Sequence, residues 1–233
     1  MTGALRMSGT RTRLKICCIA SIEEAQLAIS AGADAIGLVA KMPSGAGTIA
    51  DEQIALIAAF VPPPVATVLL TSETSAADIA AHIQSTGPSV VQIVSHIDPL
   101  EAAKLAILQP HVRRIQVIHV EGPEALTLIP VYAPYVHAFL LDSGRPSAVI
   151  PELGGTGRSH DWAVSAAIVR ASQRPVFLAG GLNADNVGDA IRQVRPFGLD
   201  LCSGIRTHGR LDITKLTAFV NAAAKADQEI YGR

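Results

Sequence analysis

Residues 14–39, LKICCIASIEEAQLAISAGADAIGLV, decide the fold. They open on an apolar run, Leu14 to Ile19, of strand length. Ser21, with Glu24 three residues on, is a capping box that starts a helix, and Gly32 closes it. A second apolar run, residues 34–39, follows at once. Neither run alternates cleanly between apolar and polar residues, which is the mark of strands buried on both faces. The stretch therefore reads as strand, helix, strand, the repeating unit of a parallel sheet.

The same alternation continues along the chain. Strand candidates lie near 14–19, 34–39, 65–70, 89–94, 112–118, 136–141, 175–179 and 198–202, with amphipathic helical patterns between them. Asp51-Glu52 places acid in the first turn of one helix, which suits its dipole. Thr74-Ser75, Asp98-Pro99 and Asn183 start others, and the last helix is expected from about Asp212 to Ala224. Eight strand-then-helix units predict a single (β/α)8 TIM barrel over residues 13–233, preceded by a loose tail, 1–12. An open doubly wound sheet needs a Gly-rich nucleotide turn after an early strand, and none is present.

Composition narrows the function. The 233 residues are 49% hydrophobic, with 19 basic and 20 acidic side chains and a net charge of −1, so no field of one sign draws in nucleic acid or an anionic membrane. No apolar run has the length of a membrane span. Three cysteines, two of them adjacent, make no disulfide framework, and a reducing compartment, the cytoplasm, is expected. The seven histidines are scattered. His96, His119, His160 and His208 fall near strand ends or loops, whereas His82 and His111 fall on the surface. No HxH, HExxH or CxxC spacing is present, so no metal site is expected.

In such a barrel, chemistry sits at the C-terminal ends of the strands. Cys17 and Cys18 end strand 1, and Asp142 ends strand 6. A thiol and a carboxylate facing each other across the mouth form a base and acid pair. Taken singly, Cys17 reads as a small buried residue and Asp142 as a helix cap. Strand alternation sends Cys17 and Cys18 to opposite faces, so one of them faces the lumen. Ala179-Gly180-Gly181-Leu182 and Cys202-Ser203-Gly204-Ile205 are tight turns after the last two strands. Their unencumbered N–H groups suit a phosphate, though each alone is also an ordinary βα turn. The long stretch from Glu152 to Trp162 carries Gly154, Gly155 and Gly157, freedom enough to fold over a ligand, and Asp161 caps the helix that follows.

Taken in order, these motifs resemble the phosphoribosylanthranilate isomerase family of tryptophan biosynthesis, from about Leu14 to about Phe219. They are Lys15-Ile16-Cys17, residues 32–37, Val91-Gln92, Leu140-Leu141-Asp142, Gly154-Gly155-Thr156-Gly157 with Asp161-Trp162, Gly180-Gly181 with Asn186-Val187, and Asp200 with Ser203-Gly204. The resemblance implies an Amadori rearrangement of a phosphoribosylamine to a 1-amino-1-deoxyketose phosphate, with no cofactor. It places the general base at Cys17 and the general acid at Asp142. It places phosphate at Gly155, Gly180, Gly181, Ser203 and Gly204, and further substrate contacts at Lys15, Gln92, His96, Asp200 and Arg206. This chemistry asks for a carboxyl pKa above its free value and a thiol pKa below it.

The chain departs from the family pattern at four places. Cys18 stands where glycine is usual. Gly47 stands where an arginine for the anthranilate carboxylate is usual, and Lys41, Arg145 and Arg206 are the cations that could replace it. The histidine after strand 4 is displaced to His96. Arg206 replaces a common glutamate. The departures leave open a paralogue acting on another phosphoribosyl substrate, and a non-catalytic barrel that binds a sugar phosphate. The expected partner is a small sugar phosphate, and the expected assembly is a monomer or a homodimer.

Overall fold

The structure, a computed structural model, describes residues 11–43, 47–144 and 160–232. Eight parallel strands close into a barrel: β1 (Arg13–Ile16), β2 (Ala35–Val39), β3 (Ala66–Thr71), β4 (Val90–Ile93), β5 (Arg113–His119), β6 (Ala138–Asp142), β7 (Val176–Leu178) and β8 (Gly198–Leu201). They are joined in sequence order, and β1 pairs with β8 to complete the ring, Lys15 opposite Asp200. Helices α1 (Ile22–Ser30), α2 (Asp51–Phe60), α3 (Ala76–Thr86), α4 (Pro99–Leu108), α5 (Leu128–Tyr132), α6 (Trp162–Ala171), α7 (Val187–Val194) and α8 (Ile213–Tyr231) follow the strands in turn. This is the expected TIM barrel.

Alternation along each strand explains the two apolar layers. Ile16, Ile36, Leu38, Leu69, Phe139 and Leu199 point outward and pack under the helices. Cys17, Ala35, Val39, Val68, Leu70, Ile115, Val117 and Leu140 belong to a separate cluster that fills the lumen. A strand between two apolar layers has no polar face, which is why its sequence reads as an unbroken apolar run.

The helix starts follow their caps. Ser21 Oγ accepts from Glu24 N–H (3.2 Å), while the Glu24 carboxylate accepts from Ala20 N–H (3.1 Å). Ser75, Asp98 and Asp161 cap α3, α4 and α6. Asn183, expected to start a helix, instead shapes the turn before α7, whose cap position is Asn186. The last helix outruns its expected end because Leu216, Phe219, Ala223 and Ala226 prolong one buried stripe. A hairpin unseen in the sequence, β9 (Arg206–Thr207) with β10 (Arg210–Leu211), turns through left-handed His208 and Gly209.

The expected tail needs a shorter boundary. Residues 1–10 lie outside the described residues, but Arg11 and Thr12 pack on the barrel. Arg11 forms an ion pair with Asp34 (2.7 Å). Thr12 is buried, and its N–H and Oγ1 both donate to the buried Asp227 carboxylate of α8, at 2.7 and 2.6 Å. The strand that opens the barrel is thereby tied to the helix that ends it. Asp227→Ala strands a buried N–H and is expected to cost about 2–3 kcal/mol. Urea unfolding measures it, and a variant as stable as the parent would show that Thr12 finds another partner.

Candidate active site

The first strand delivers a thiol to the mouth of the barrel. Cys17 N–H donates to Leu201 O (2.7 Å), which continues the β1–β8 ladder one residue past the strand and fixes the thiol on the lumen side. Cys18 then adopts a left-handed conformation, φ +62°. Strand alternation ends there, so Cys17 and Cys18 do not part to opposite faces as expected, and both join the lumen cluster. Cys18 forms a disulfide with Cys202, Cα to Cα 6.0 Å. The expectation of three reduced cysteines is corrected: Cys17 is the free thiol.

Beneath Cys17 lies a buried ion pair. Lys15 Nζ, fully buried, stands 2.8 Å from Asp200 Oδ1 on the neighbouring strand. Gly37 of β2 makes room for both groups: a Cβ there would lie 2.7 Å from Cys17 Sγ and 3.0 Å from Lys15 Nζ. Burial pulls the Lys15 pKa down, but the Asp200 carboxylate and the Cys17 sulfur, to which Lys15 hydrogen-bonds, outweigh it and leave it raised. Burial pushes the Cys17 thiol up to about 11, and the Lys15 charge only partly opposes this. The direction is opposite to the one expected for a base. Lys15 and Asp200 therefore form the polar floor of the mouth.

Asp142 ends β6, and its pKa shifts in the expected direction. Burial pushes its carboxyl up to about 6, helped by the nearby Asp200 charge and opposed by the Ser143 N–H, which donates to Oδ1 at 2.7 Å, and by Lys15. Cys17 and Asp142 both feel the same Lys15–Asp200 pair, one from β1 and the other from β6. The thiol and the carboxyl thus converge on one charged floor.

The two turns after β7 and β8 touch. Gly180 and Gly181 are left-handed, φ +85° and +62°. Asn183 and Asn186 brace that turn: Asn183 N–H donates to Asn186 Oδ1 (2.9 Å), and Asn186 Nδ2 donates to Gly181 O (2.9 Å). Gly204, in the short 3₁₀ turn Ser203–Ile205, lies so close to Leu182 O that a Cβ would meet it at 2.0 Å. Gly180, Gly181, Ser203 and Gly204 are thus brought together. Gly155 and Arg145 lie outside the described residues.

On the remaining side of the mouth, Gln92 of β4 is buried with no partner for its Oε1 among the described residues. His96 lies exposed on the following loop, its ring tilted by 45° and centred 5.4 Å from that of His119, the buried last residue of β5. By strand alternation His119 lies on the lumen side with Ile115 and Val117, a position its place near a strand end does not by itself disclose. Arg206, expected to meet substrate, is turned to the protein instead. It pairs with Glu24 (3.0 Å) and donates to the carbonyls of Gly209, Cys17 and Cys18. Lys41 is exposed at the end of β2. Gly47 is left-handed at φ +82°, and a Cβ there would lie 2.6 Å from Cys18 Cβ. Cys18 and Gly47 therefore form one packing unit: with a side chain at 18, none fits at 47. Among the described residues no cluster of His, Cys, Asp and Glu is arranged to hold a metal ion.

A family model described as N-(5'-phosphoribosyl)anthranilate (PRA) isomerase matches residues 14–222. A relative from Methanosarcina mazei, named N-(5'-phosphoribosyl)anthranilate isomerase 2, is 36% identical over 213 residues, 91% of this chain and 93% of its own. The crystal structure of phosphoribosyl anthranilate isomerase from Thermotoga maritima is 27% identical and superposes with a TM-score of 0.78 over 92% of this chain and 99% of that one. A second solved phosphoribosyl anthranilate isomerase, in complex with reduced 1-(o-carboxyphenylamino)-1-deoxyribulose 5-phosphate, has a TM-score of 0.76 at 26% identity, over 92% and 99% of the two chains.

The half-buried Asp142 carboxyl, raised by desolvation, sets a measurable cost. Its folded pKa of about 6 exceeds the free value of 3.8, so folding favours the protonated form. That stability is fully present below about pH 4 and is lost as pH rises through 6. By pH 7 the loss is on the order of 2–3 kcal/mol. Asp142→Asn is therefore expected to be more stable than the parent at pH 7 and equal to it near pH 4. Urea unfolding at the two pH values checks this, and a variant destabilised at both would overturn the account.

Proposed function

Because the chain belongs to the N-(5'-phosphoribosyl)anthranilate isomerase family, we propose that Cys17 and Asp142 are the base and acid of that isomerisation. The protein is an aldose–ketose isomerase of tryptophan biosynthesis. The observation that carries the assignment of residues is the convergence of one thiol and one carboxyl on the Lys15–Asp200 floor, with the carboxyl raised to about 6.

The chemistry needs a proton donor and a proton acceptor, and no cofactor. Asp142, in its protonated form, donates to the furanose ring oxygen. The exocyclic nitrogen pushes its lone pair toward C1, the C1–O bond breaks, and an open-chain iminium results. A carboxyl with a pKa near 6 keeps a useful fraction of acid near neutral pH and is a strong enough donor to act. Cys17, as thiolate, then takes the C2 proton, which the adjacent iminium acidifies. The product is an enolamine, which tautomerises to the ketone.

The raised thiol pKa fits this order of events. A cation close to a thiol favours its ionised form. The first such cation, Lys15, is permanent, and the second is the iminium itself. The base is thus activated once ring opening has placed positive charge in the mouth. The phosphate end of the substrate is assigned to the joined turns at Gly180-Gly181 and Ser203-Gly204, because glycine N–H groups at a turn carry no Cβ of their own to crowd an anion. A cytoplasmic location and a monomeric or dimeric state belong to the same reading.

Cys17→Ser and Asp142→Asn are each expected to lower kcat by orders of magnitude with the fold intact. Phosphoribosylanthranilate generated in situ, followed by the loss of its fluorescence, reads the rate. A variant that keeps most of its turnover would remove that residue from the mechanism. Inorganic phosphate is expected to raise the apparent KM and leave kcat alone. A KM indifferent to phosphate would detach the glycine turns from substrate binding.

A further inference from the structure

His119 ends β5 directly beside Asp142, its register partner on β6. Strand alternation turns it to the side of Ile115 and Val117, which line the lumen. The residue is 97% buried by exposure, 3% being accessible. Its Nε2 lies 2.9 Å from Val94 O. A carbonyl oxygen only accepts, so Nε2 carries the hydrogen. In the neutral ring Nδ1 then presents a lone pair, and that atom is buried without a partner among the described residues. Burial lowers the His119 pKa, which keeps the ring neutral near pH 7. A buried acceptor of fixed tautomer therefore stands next to the carboxyl at the mouth, and it needs a donor.

We infer that His119 Nδ1 accepts the exocyclic N–H of the substrate and holds it as the nitrogen becomes cationic. The inference rests on the reading of Asp142 as the acid, because that places the reacting C1–O bond beside β6. When the C1–O bond breaks, the ring oxygen takes the Asp142 proton and Asp142 is left as carboxylate. The nitrogen lone pair becomes the second bond to C1, and the N–H now belongs to a cation. No proton passes to His119. Its hydrogen bond is neutral in the ground state and charge-assisted in the iminium, so it favours the transition state over bound substrate. His96, whose tilted ring packs against it, and Val94 O hold the imidazole in place.

The test uses two variants and two ligands. His119→Leu removes the acceptor, whereas His119→Gln supplies an amide oxygen as acceptor and an amide N–H for Val94 O. Calorimetry measures binding of reduced 1-(o-carboxyphenylamino)-1-deoxyribulose 5-phosphate, which carries the arylamine N–H, and of ribose 5-phosphate, which does not. His119→Leu is expected to weaken the first ligand by about tenfold or more and leave the second unchanged. It is expected to lower kcat by a larger factor than it raises KM, and His119→Gln is expected to restore most of both. Equal loss of both ligands in a folded His119→Leu protein, or no loss of either, would overturn the inference. Failure of the acid assignment is seen separately: an Asp142→Asn variant with full turnover removes Asp142, while the binding comparison at His119 stands on its own.

Discussion

A lysine ammonium with no access to water must be neutralised where it stands. Lys15 is such a group, and Asp200 neutralises it at 2.8 Å. The two residues face each other across the seam between the first and last strands, so the pair that satisfies the charge also joins the ends of the sheet. Breaking a buried pair by removing one partner typically costs 3–5 kcal/mol, because the survivor stays buried and uncompensated. Gly37 is part of this constraint, since the space that its missing side chain leaves is where the ammonium and the Cys17 sulfur lie.

The same pair sets the chemistry above it. The thiol and the carboxyl both resist ionisation, because desolvation raises both. The positive and negative ends of the floor then act on them unequally. Lys15 hydrogen-bonds to the sulfur and eases its ionisation, whereas for the carboxyl the repulsion of Asp200 outranks the attraction of Lys15. A single ion pair therefore favours a proton on the carboxyl more strongly than one on the thiol. For the acid and base proposed above that asymmetry is the useful one, although desolvation still dominates at Cys17.

The barrel was legible because its determinants are local. Apolar runs mark strands covered on both sides, and Ser21, Ser75, Asp98 and Asp161 mark helix starts through bonds that span two or three residues. Cys17 and Asp142 were legible as strand-end residues with suitable chemistry. What escaped depends on distant partners. The left-handed Cys18 is explained by Cys202, which lies 184 residues away, and the glycine at 47 by Cys18. Arg206 looked free to meet a substrate because its partner, Glu24, had already been read as a cap; the carboxylate serves both. His119 carries no local signal at all. A histidine at a strand end acquires meaning only through the register that places Asp142 beside it and the carbonyl that fixes its tautomer.

The seam between β1 and β8 also bears on how the chain is made. Lys15 leaves the ribosome 185 residues before Asp200. At about 5–20 residues per second, the first strand waits roughly 10–40 s for the strand that completes it. Through that interval its lysine has no counter-ion and its thiol no floor, and one edge of the growing sheet is open. The barrel is thus assembled in the direction of synthesis but closed against it, by the last strand returning to the first, so the charged floor of the mouth is among the last parts of the nascent protein to exist.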